Sequence, residues 1–271
     1  ASLSLVVAGA LGPSLGWRNC FFLLGAIGLF CSLLVLLVKD PGHVQHAGIE
    51  KKPLDFGKFF ASLGEIPGIL LRSPPLLVTM IGGCLLNFSV GTTYLDMLWI
   101  KAGGKFPEDK ARWIMGIVFL FGGTLGNVLG GYIGDWIQNH LGRHRLWSVM
   151  GSLIVCTPMM LMFRWSDPNG LWFWVGYFFV SFMVTMYYGP VFSTVQELSP
   201  AHQRSMIMAV FLIGMNLLGV SLGAMVGAIL IKVFKDFTLA LVVTGLVNLG
   251  AIPCFLYAIH LRKVELAKAS P

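Results

Sequence analysis

The chain has 271 residues, of which 56% are hydrophobic and 11% charged, with a formal net charge of +7 and a mean hydropathy of +0.79. A soluble domain carries about 25% charged residues, so an ordinary water-soluble globule is excluded, as is a disordered chain, which is polar and highly charged. Five cysteines are too few for a disulfide scaffold in a chain of this length. The class left is an integral membrane protein, all-α and multi-pass.

A helical crossing needs about 20 apolar residues. Ala1–Leu11 supplies roughly half of one and has no basic flank of a signal peptide. Full crossings are predicted over Asn19–Val38, Leu76–Ile100, Trp113–Ile137, Leu146–Phe163, Leu171–Val195, Ser205–Val233 and Phe237–Ile259. These runs are too long and too evenly apolar for the alternating strands of a barrel. All eight tryptophans fall at or near the ends of these runs, where amphipathic rings settle into the headgroup zone.

Between the first two crossings lies the longest polar stretch, Lys39–Pro75, opened by Lys39-Asp40-Pro41-Gly42, which stops a helix. Inside it Phe56, Phe59, Phe60, Leu63, Ile66 and Leu70 recur at helical spacing, predicting an amphipathic helix on the membrane face. It is either a tether between two bundles or a plain surface linker.

The crossing Trp113–Ile137 carries Gly122, Gly126, Gly130 and Gly134, four residues apart on one face, and Ser205–Val233 repeats the device with Gly219, Gly223 and Gly227. Missing side chains let a partner helix approach closely. Tight static packing and rocking contacts both account for such stripes. Gly189-Pro190 predicts a bend inside Leu171–Val195.

Alternate loops fall on alternate sides of the membrane. Eleven of the nineteen Lys and Arg lie with the linker, the turns after Trp136 and Glu197, and the C-terminus. All six histidines lie there too. The excess of basic residues makes that side cytoplasmic. The positive charge needs no nucleic acid, because anionic lipid headgroups suffice as its partner.

At the basic end of the glycine-striped crossing stands Gly131-Tyr132-Ile133-Gly134-Asp135, followed by Gly142-Arg143-His144-Arg145. This resembles the signature of the major facilitator superfamily, with a turn some three residues longer and Trp136 where the family has arginine. Leu15-Gly16-Trp17-Arg18, with Lys39-Asp40-Pro41 after the next crossing, is similar to that family's fifth-to-sixth helix region. Gly189-Pro190-Val191-Phe192, Gln196-Glu197-Leu198-Ser199-Pro200 and Arg204 resemble the tenth-to-eleventh helix region of its Spinster-like branch.

The resemblance implies a twelve-helix fold in two halves, of which residues 1–38 are the end of helix five and helix six, 39–75 a cytoplasmic linker, 76–261 helices seven to twelve, and 262–271 a cytoplasmic tail. The N-terminal half of the same protein would be its partner. Helices seven, eight, ten and eleven line the family's central cavity, which points to Asn87, Thr92, Asn127, Tyr187, Tyr188 and Asn216 as substrate residues, each with a helix-to-helix hydrogen bond as the alternative role. Asp135 would cap the start of helix five. Gly131, Asp135, Gly142, Arg143, Glu197 and Arg204 would form a gate, Arg143, Glu197 and Arg204 as a charge lock. Asp96, near one end of its crossing, is expected to reach water.

The implied function is secondary active transport by alternating access in the plasma or bacterial inner membrane. The expected cargo is an organic or amphiphilic solute, in some members a lysolipid or sphingoid phosphate, driven by protons or another coupling ion. The alternative is a membrane scaffold or receptor-like bundle without transport. An enzyme would need a nucleophile–base pair or a metal cluster, and no such spacing occurs in the sequence. No cofactor is called for.

Overall fold

The computed structural model describes residues 2–35, 56–103 and 106–269. Every regular element among them is helical, which is how a segment in lipid satisfies its own backbone. The helices are α1 (Ser2–Val35), α2 (Phe56–Arg72), α3 (Pro74–Thr93), α4 (Asp96–Gly103), α5 (Glu108–Leu141), α6 (Leu146–Trp165), α7 (Leu171–Met186), α8 (Tyr188–Leu198), α9 (Arg204–Gly214), α10 (Leu222–Phe234), α11 (Phe237–Leu246) and α12 (Ala251–Ala269). A π-helical stretch, Met215–Ser221, joins α9 to α10, and a 3-10 turn, Val247–Gly250, joins α11 to α12.

Among the described residues, six stretches are long and apolar enough to cross a bilayer: Pro74–Gly103, Lys110–Leu141, Leu146–Trp165, Leu171–Leu198, Arg204–Phe234 and Phe237–Glu265. The run expected as a full crossing at Asn19–Val38 is not among them; its described part is the shorter apolar helix Arg18–Leu34. That helix follows directly from the first run within α1, and the break between the two is at Gly16, whose φ of 76° suits glycine. Residues 36–55, the end of the Asn19–Val38 run and the first part of the linker, lie outside the described residues. The amphipathic part of the linker is α2, which buries Ile66 and holds Glu65 Oε2 2.8 Å from the donating Nε2 of Gln203.

Four of the six crossings are interrupted, one of them by the 3-10 turn Val247–Gly250. Thr92 and Thr93 donate their hydroxyls to the carbonyls of Ser89 and Val90, 2.8 and 2.7 Å away, just before α3 ends. Such back-bonds compete with the helical ladder and bend it, and α4 starts afresh at Asp96. Pro190, which lacks an N–H, sits in the first turn of α8, so α7 ends four residues earlier at Met186. The third interruption is the π stretch, whose i→i+5 bonds widen the turn.

The bundle has two ends. One holds Asp135, the α5–α6 turn, the α8–α9 turn and the last turns of α12; the other holds Asp96, the α6–α7 turn and the start of α11. α5 packs along α7, α7 along α6, and α3 lies between α12 and the π stretch. Two apolar clusters fill these seams. The larger, around Phe211, Phe255, Val191 and Leu146, serves the Asp135 end, and the smaller, around Phe163, Phe173 and Met115, the Asp96 end.

The glycines set the spacing. A Cβ at Gly126 would overlap the carbonyl of Phe182, and one at Gly130 the carbonyl of Met186; at Gly122 it would come within 3.0 Å of the carbonyl of Phe178. On the other side of the bundle, Gly223 faces the carbonyl of Phe88, Gly91 faces that of Val220, and Gly219 faces Asn87 and the carbonyl of Cys84. A Cβ at Gly131 would meet nothing within 4 Å. Gly126→Leu is therefore expected to force α5 off α7, at a cost of about 1–3 kcal/mol or more. Gly131→Ala should leave the melting temperature unchanged or slightly raised, as alanine favours a helix by roughly 1 kcal/mol over glycine. Thermal melts of the two variants in detergent check the contrast.

Candidate functional site

A cavity of about 480 Å³ opens between α3, α5, the α7–α8 break and the α9–π stretch. Its polar lining is Asn87, Tyr94, Thr124, Asn127, Thr185, Tyr188 and Asn216, so every crossing around it contributes at least one polar group. The lining contains no charged side chain. Amides and hydroxyls of this kind orient a polar ligand while the remaining apolar wall excludes water.

Asn87 is the centre of the wall. It is buried, donates through Nδ2 to the carbonyl of Met215 at 2.9 Å, and accepts at Oδ1 from the hydroxyl of Tyr187 at 2.6 Å. The Tyr188 hydroxyl lies 3.4 Å from the same oxygen, and the two tyrosine rings stack at 4.6 Å. The π turn supplies the acceptor carbonyl, and the α7–α8 break lets consecutive tyrosines share one acceptor. Thr185 closes a second bond across the bundle, donating to the carbonyl of Gly123 at 2.7 Å.

Of the six residues expected on the cavity, Asn87, Asn127, Tyr188 and Asn216 line it. Thr92 does not: it is buried, and its hydroxyl is spent on the Ser89 carbonyl. Tyr187 stands behind the wall, holding Asn87 in place. Asn216 spends one amide hydrogen on the carbonyl of Leu212. Tyr94, Thr124 and Thr185 also line the cavity; they lay among the polar residues of the same crossings, but helical spacing alone did not single them out.

At the Asp135 end the charge network differs from the expected one. Arg145, not Arg143 or Arg204, is its hub. Its guanidinium donates to Glu197 Oε1 at 2.6 Å and to Gln138 Oε1 at 2.7 Å, and reaches Asp135 Oδ1 at 3.5 Å. Arg262 of α12 stands 3.4 Å from Glu197 Oε2 and 2.8 Å from His144 Nε2. Arg143 instead lies over the Trp147 ring at 5.3 Å. The reason is the left-handed Gly142 that ends α5: the chain reverses there, and Arg145 enters the first turn of α6 facing α8. Gly131 lies against Gly189, and Gly134 against Pro190, where α8 begins.

Asp96 does not reach water. It is fully buried, and its Oδ1 accepts from Arg164 Nη2 at 2.7 Å. Arg164, one residue past the crossing predicted over Leu146–Phe163, is 5% exposed on the last turn of α6, with the rings of Trp99 and Phe163 at 5.0 and 4.7 Å.

A family model described as Major Facilitator Superfamily matches residues 1–224. Among curated proteins, the chain is 26% identical over 204 residues to the probable galactarate/D-glucarate transporter of Escherichia coli K12, covering 65% of this chain and 43% of that protein. It is 26% identical over 216 residues to an MFS-type efflux pump of Mycolicibacterium smegmatis, covering 78% of this chain and 48% of that one. The probable L-galactonate transporter of Escherichia coli K12 is 23% identical over 145 residues, covering 50% and 31%. The chain thus spans about half the length of the curated relatives it matches, or less. A solved bacterial homolog to the human lysosomal transporter Spinster, inward-facing and unoccupied, superposes with a TM-score of 0.67 at 15% identity, covering 96% of this chain and 67% of that one.

Two outcomes follow from the geometry. Asn87→Leu leaves the Met215 carbonyl and the Tyr187 hydroxyl without their partner, so unfolding should become easier by about 1–3 kcal/mol, read by denaturant titration of the purified protein. The second outcome concerns pH. Burial, and the positive charge of Arg262, push the His144 pKa down from 6.5 to about 4. The folded value lies below the unfolded one, so the neutral ring's contribution is complete above about pH 6.5 and is lost as the pH falls toward 4. His144→Asn should flatten the melting temperature over that window, and an unchanged slope would sink the assignment.

Proposed function

We propose that this chain, which belongs to the major facilitator superfamily, supplies one six-helix half of a membrane carrier that moves a small polar organic solute by alternating access. The single observation that carries this is the convergence of Asn87, Asn127, Tyr188 and Asn216, from four separate crossings, on one open cavity. A midplane site walled by broken helices is what a rocking carrier requires. The cavity has room for a small organic solute, and its amides and hydroxyls match a polyhydroxylated molecule better than an acyl chain.

Relatives named for galactarate, D-glucarate and L-galactonate transport favour a sugar acid as the cargo over a lysolipid. The wall in this chain is uncharged, so a cation for the acid's carboxylate and any proton-coupling carboxylate are assigned to the part of the protein outside this chain. A second six-helix half would close the cavity. The two glycine-striped crossings, which flank it, are the least buried of the six and present Phe121, Leu125, Ile213 and Leu217 on their open faces.

The Asp135 end is assigned to the cytoplasm, as the charge count and the resemblance suggest. There Arg145, Glu197 and Arg262 tie the α5–α6 turn, α8 and α12 together, a clasp that holds this half rigid while it rocks. Exposed ion pairs are worth about 0–1 kcal/mol each, so the clasp acts as a network and not through any one pair.

In proteoliposomes the full-length protein should show saturable, gradient-sensitive D-glucarate uptake. Asn127→Ala and Tyr188→Phe should each lower uptake roughly fivefold, the value of one hydrogen bond, with melting temperatures unchanged. A protein that folds, melts normally and carries no sugar acid would defeat this reading.

A further inference from the structure

The polar groups around the central cavity divide into those engaged by the bundle and those left open to a ligand. The division follows from the backbone, because a carbonyl accepts and never donates. The carbonyl of Met215 makes Asn87 Nδ2 the donor at 2.9 Å, which turns Oδ1 toward Tyr187 and makes the Tyr187 hydroxyl the donor there, at 2.6 Å. Asn87 is 3% exposed and Tyr187 2%, so little of either is open to a ligand. In the same way the carbonyl of Gly123 takes the hydroxyl hydrogen of Thr185 at 2.7 Å. Asn87 and Thr185 border the cavity, but their hydrogen bonds hold helices together.

Asn127 and Asn216 differ from them. Both are exposed and both line the cavity. The Asn127 amide has no hydrogen-bond partner among the described residues. Asn216 gives one amide hydrogen to the carbonyl of Leu212 at 2.8 Å, which leaves its second N–H and its Oδ1 open. Thr124, three residues before Asn127 and on the same helical face, also lines the cavity. The two asparagines come from the two glycine-striped crossings, Asn127 from the middle of α5 and Asn216 from the second position of the π stretch.

An amide side chain carries donors and an acceptor side by side. A carboxylate only accepts, so it uses the N–H half of an amide and leaves the oxygen bare. Two neighbouring hydroxyls use both halves, one accepting from Nδ2 and the other donating to Oδ1. We propose that Asn127 and Asn216 are the specificity-determining residues of the carrier, each pairing with adjacent hydroxyls of the cargo, so that this half grips the hydroxylated carbon chain and not the acid group. This rests on the carrier reading above and narrows it. The cargo selected is a chain with hydroxyls on successive carbons, with or without a terminal carboxylate. Tyr188 supplies a movable third contact: its hydroxyl is 3.4 Å from Asn87 Oδ1, longer than an ordinary hydroxyl bond, and is free to turn to a ligand oxygen. Such a site rejects an analogue that lacks the hydroxyls, since its amides then lose water and gain no partner.

The experiment measures binding and uptake separately on the full-length protein. Binding is read by isothermal titration calorimetry in nanodiscs with two pairs of probes. D-glucarate is set against adipate, the same diacid without hydroxyls, and D-glucitol against hexanediol, which keeps only the terminal ones. In each pair the hydroxylated member should have an apparent dissociation constant on the order of tenfold or more below that of its partner. Asn127→Leu and Asn216→Leu should each shrink that preference roughly fivefold, the value of one hydrogen bond. Tyr187→Phe, which removes a bond behind the wall, should lower the melting temperature and leave the preference as it was. Where a leucine variant fails to fold, Asn127→Asp or Asn216→Asp, equal in size and without the N–H donors, is read with the uncharged pair.

Uptake of D-glucarate into proteoliposomes tests the carrier reading by itself. Hydroxyl-selective binding that depends on the two asparagines, without glucarate uptake, defeats the sugar-acid cargo and upholds the assignment of Asn127 and Asn216. Equal binding within every pair that responds, or a preference untouched by substitution of either asparagine, overturns the assignment even where glucarate is carried. Silence toward all four probes defeats both.

Discussion

Direct backbone-to-backbone contact between helices is the constraint on which the rest of this molecule rests. In lipid there is little hydrophobic force to draw apolar helices together, so close packing must supply the attraction. Here the carbonyls of Phe182 and Met186 occupy the space that side chains would fill at Gly126 and Gly130, and the carbonyls of Phe88 and Val220 do the same at Gly223 and Gly91. α5 is thereby seated on α7 and α3 on the π–α10 stretch. The central cavity lies between these two seams, and its width follows from them. Its polar groups need no long reach: Asn87 and Tyr187 meet at 2.6 Å because the helices that carry them are already close.

Much of the fold is legible in the sequence because lipid permits few solutions. The apolar runs mark the crossings, and glycines at every fourth residue mark one helix face as the place of approach. The family signature at Gly131–Asp135 falls in the C-terminal part of α5. The interruptions are less legible. Thr92 and Thr93 look like cavity residues in a string of letters, since nothing there shows that their hydroxyls turn back onto their own helix. Tyr187 and Tyr188 look equivalent, but the break between α7 and α8 turns one behind the wall and leaves the other on it.

The charges are the least legible part. Arg143 and Arg145 differ by two positions, and only the left-handed turn at Gly142 decides which of them faces Glu197. Asp96 and Arg164 are 68 residues apart in the chain, and each sits near the end of an apolar run, where solvation is the cheaper expectation. Their burial follows from the packing of Trp99 against Phe163 and Phe173, a contact between three crossings that no local pattern announces. Pairing keeps that burial tolerable, since either charge alone in such a place would cost several kcal/mol, on the order of 3–5.

The π stretch Met215–Ser221 amounts to one residue inserted into an otherwise α-helical rod. Each residue advances an α-helix by about 100° of azimuth, so the insertion sets the phase between the α9 face that buries Phe211 and the α10 face that presents Gly223 and Gly227. A chain shortened by one position there would close into a regular helix. Its last three turns would then swing round, sending the two glycines away from α3 and taking from Asn87 the oxygen it holds.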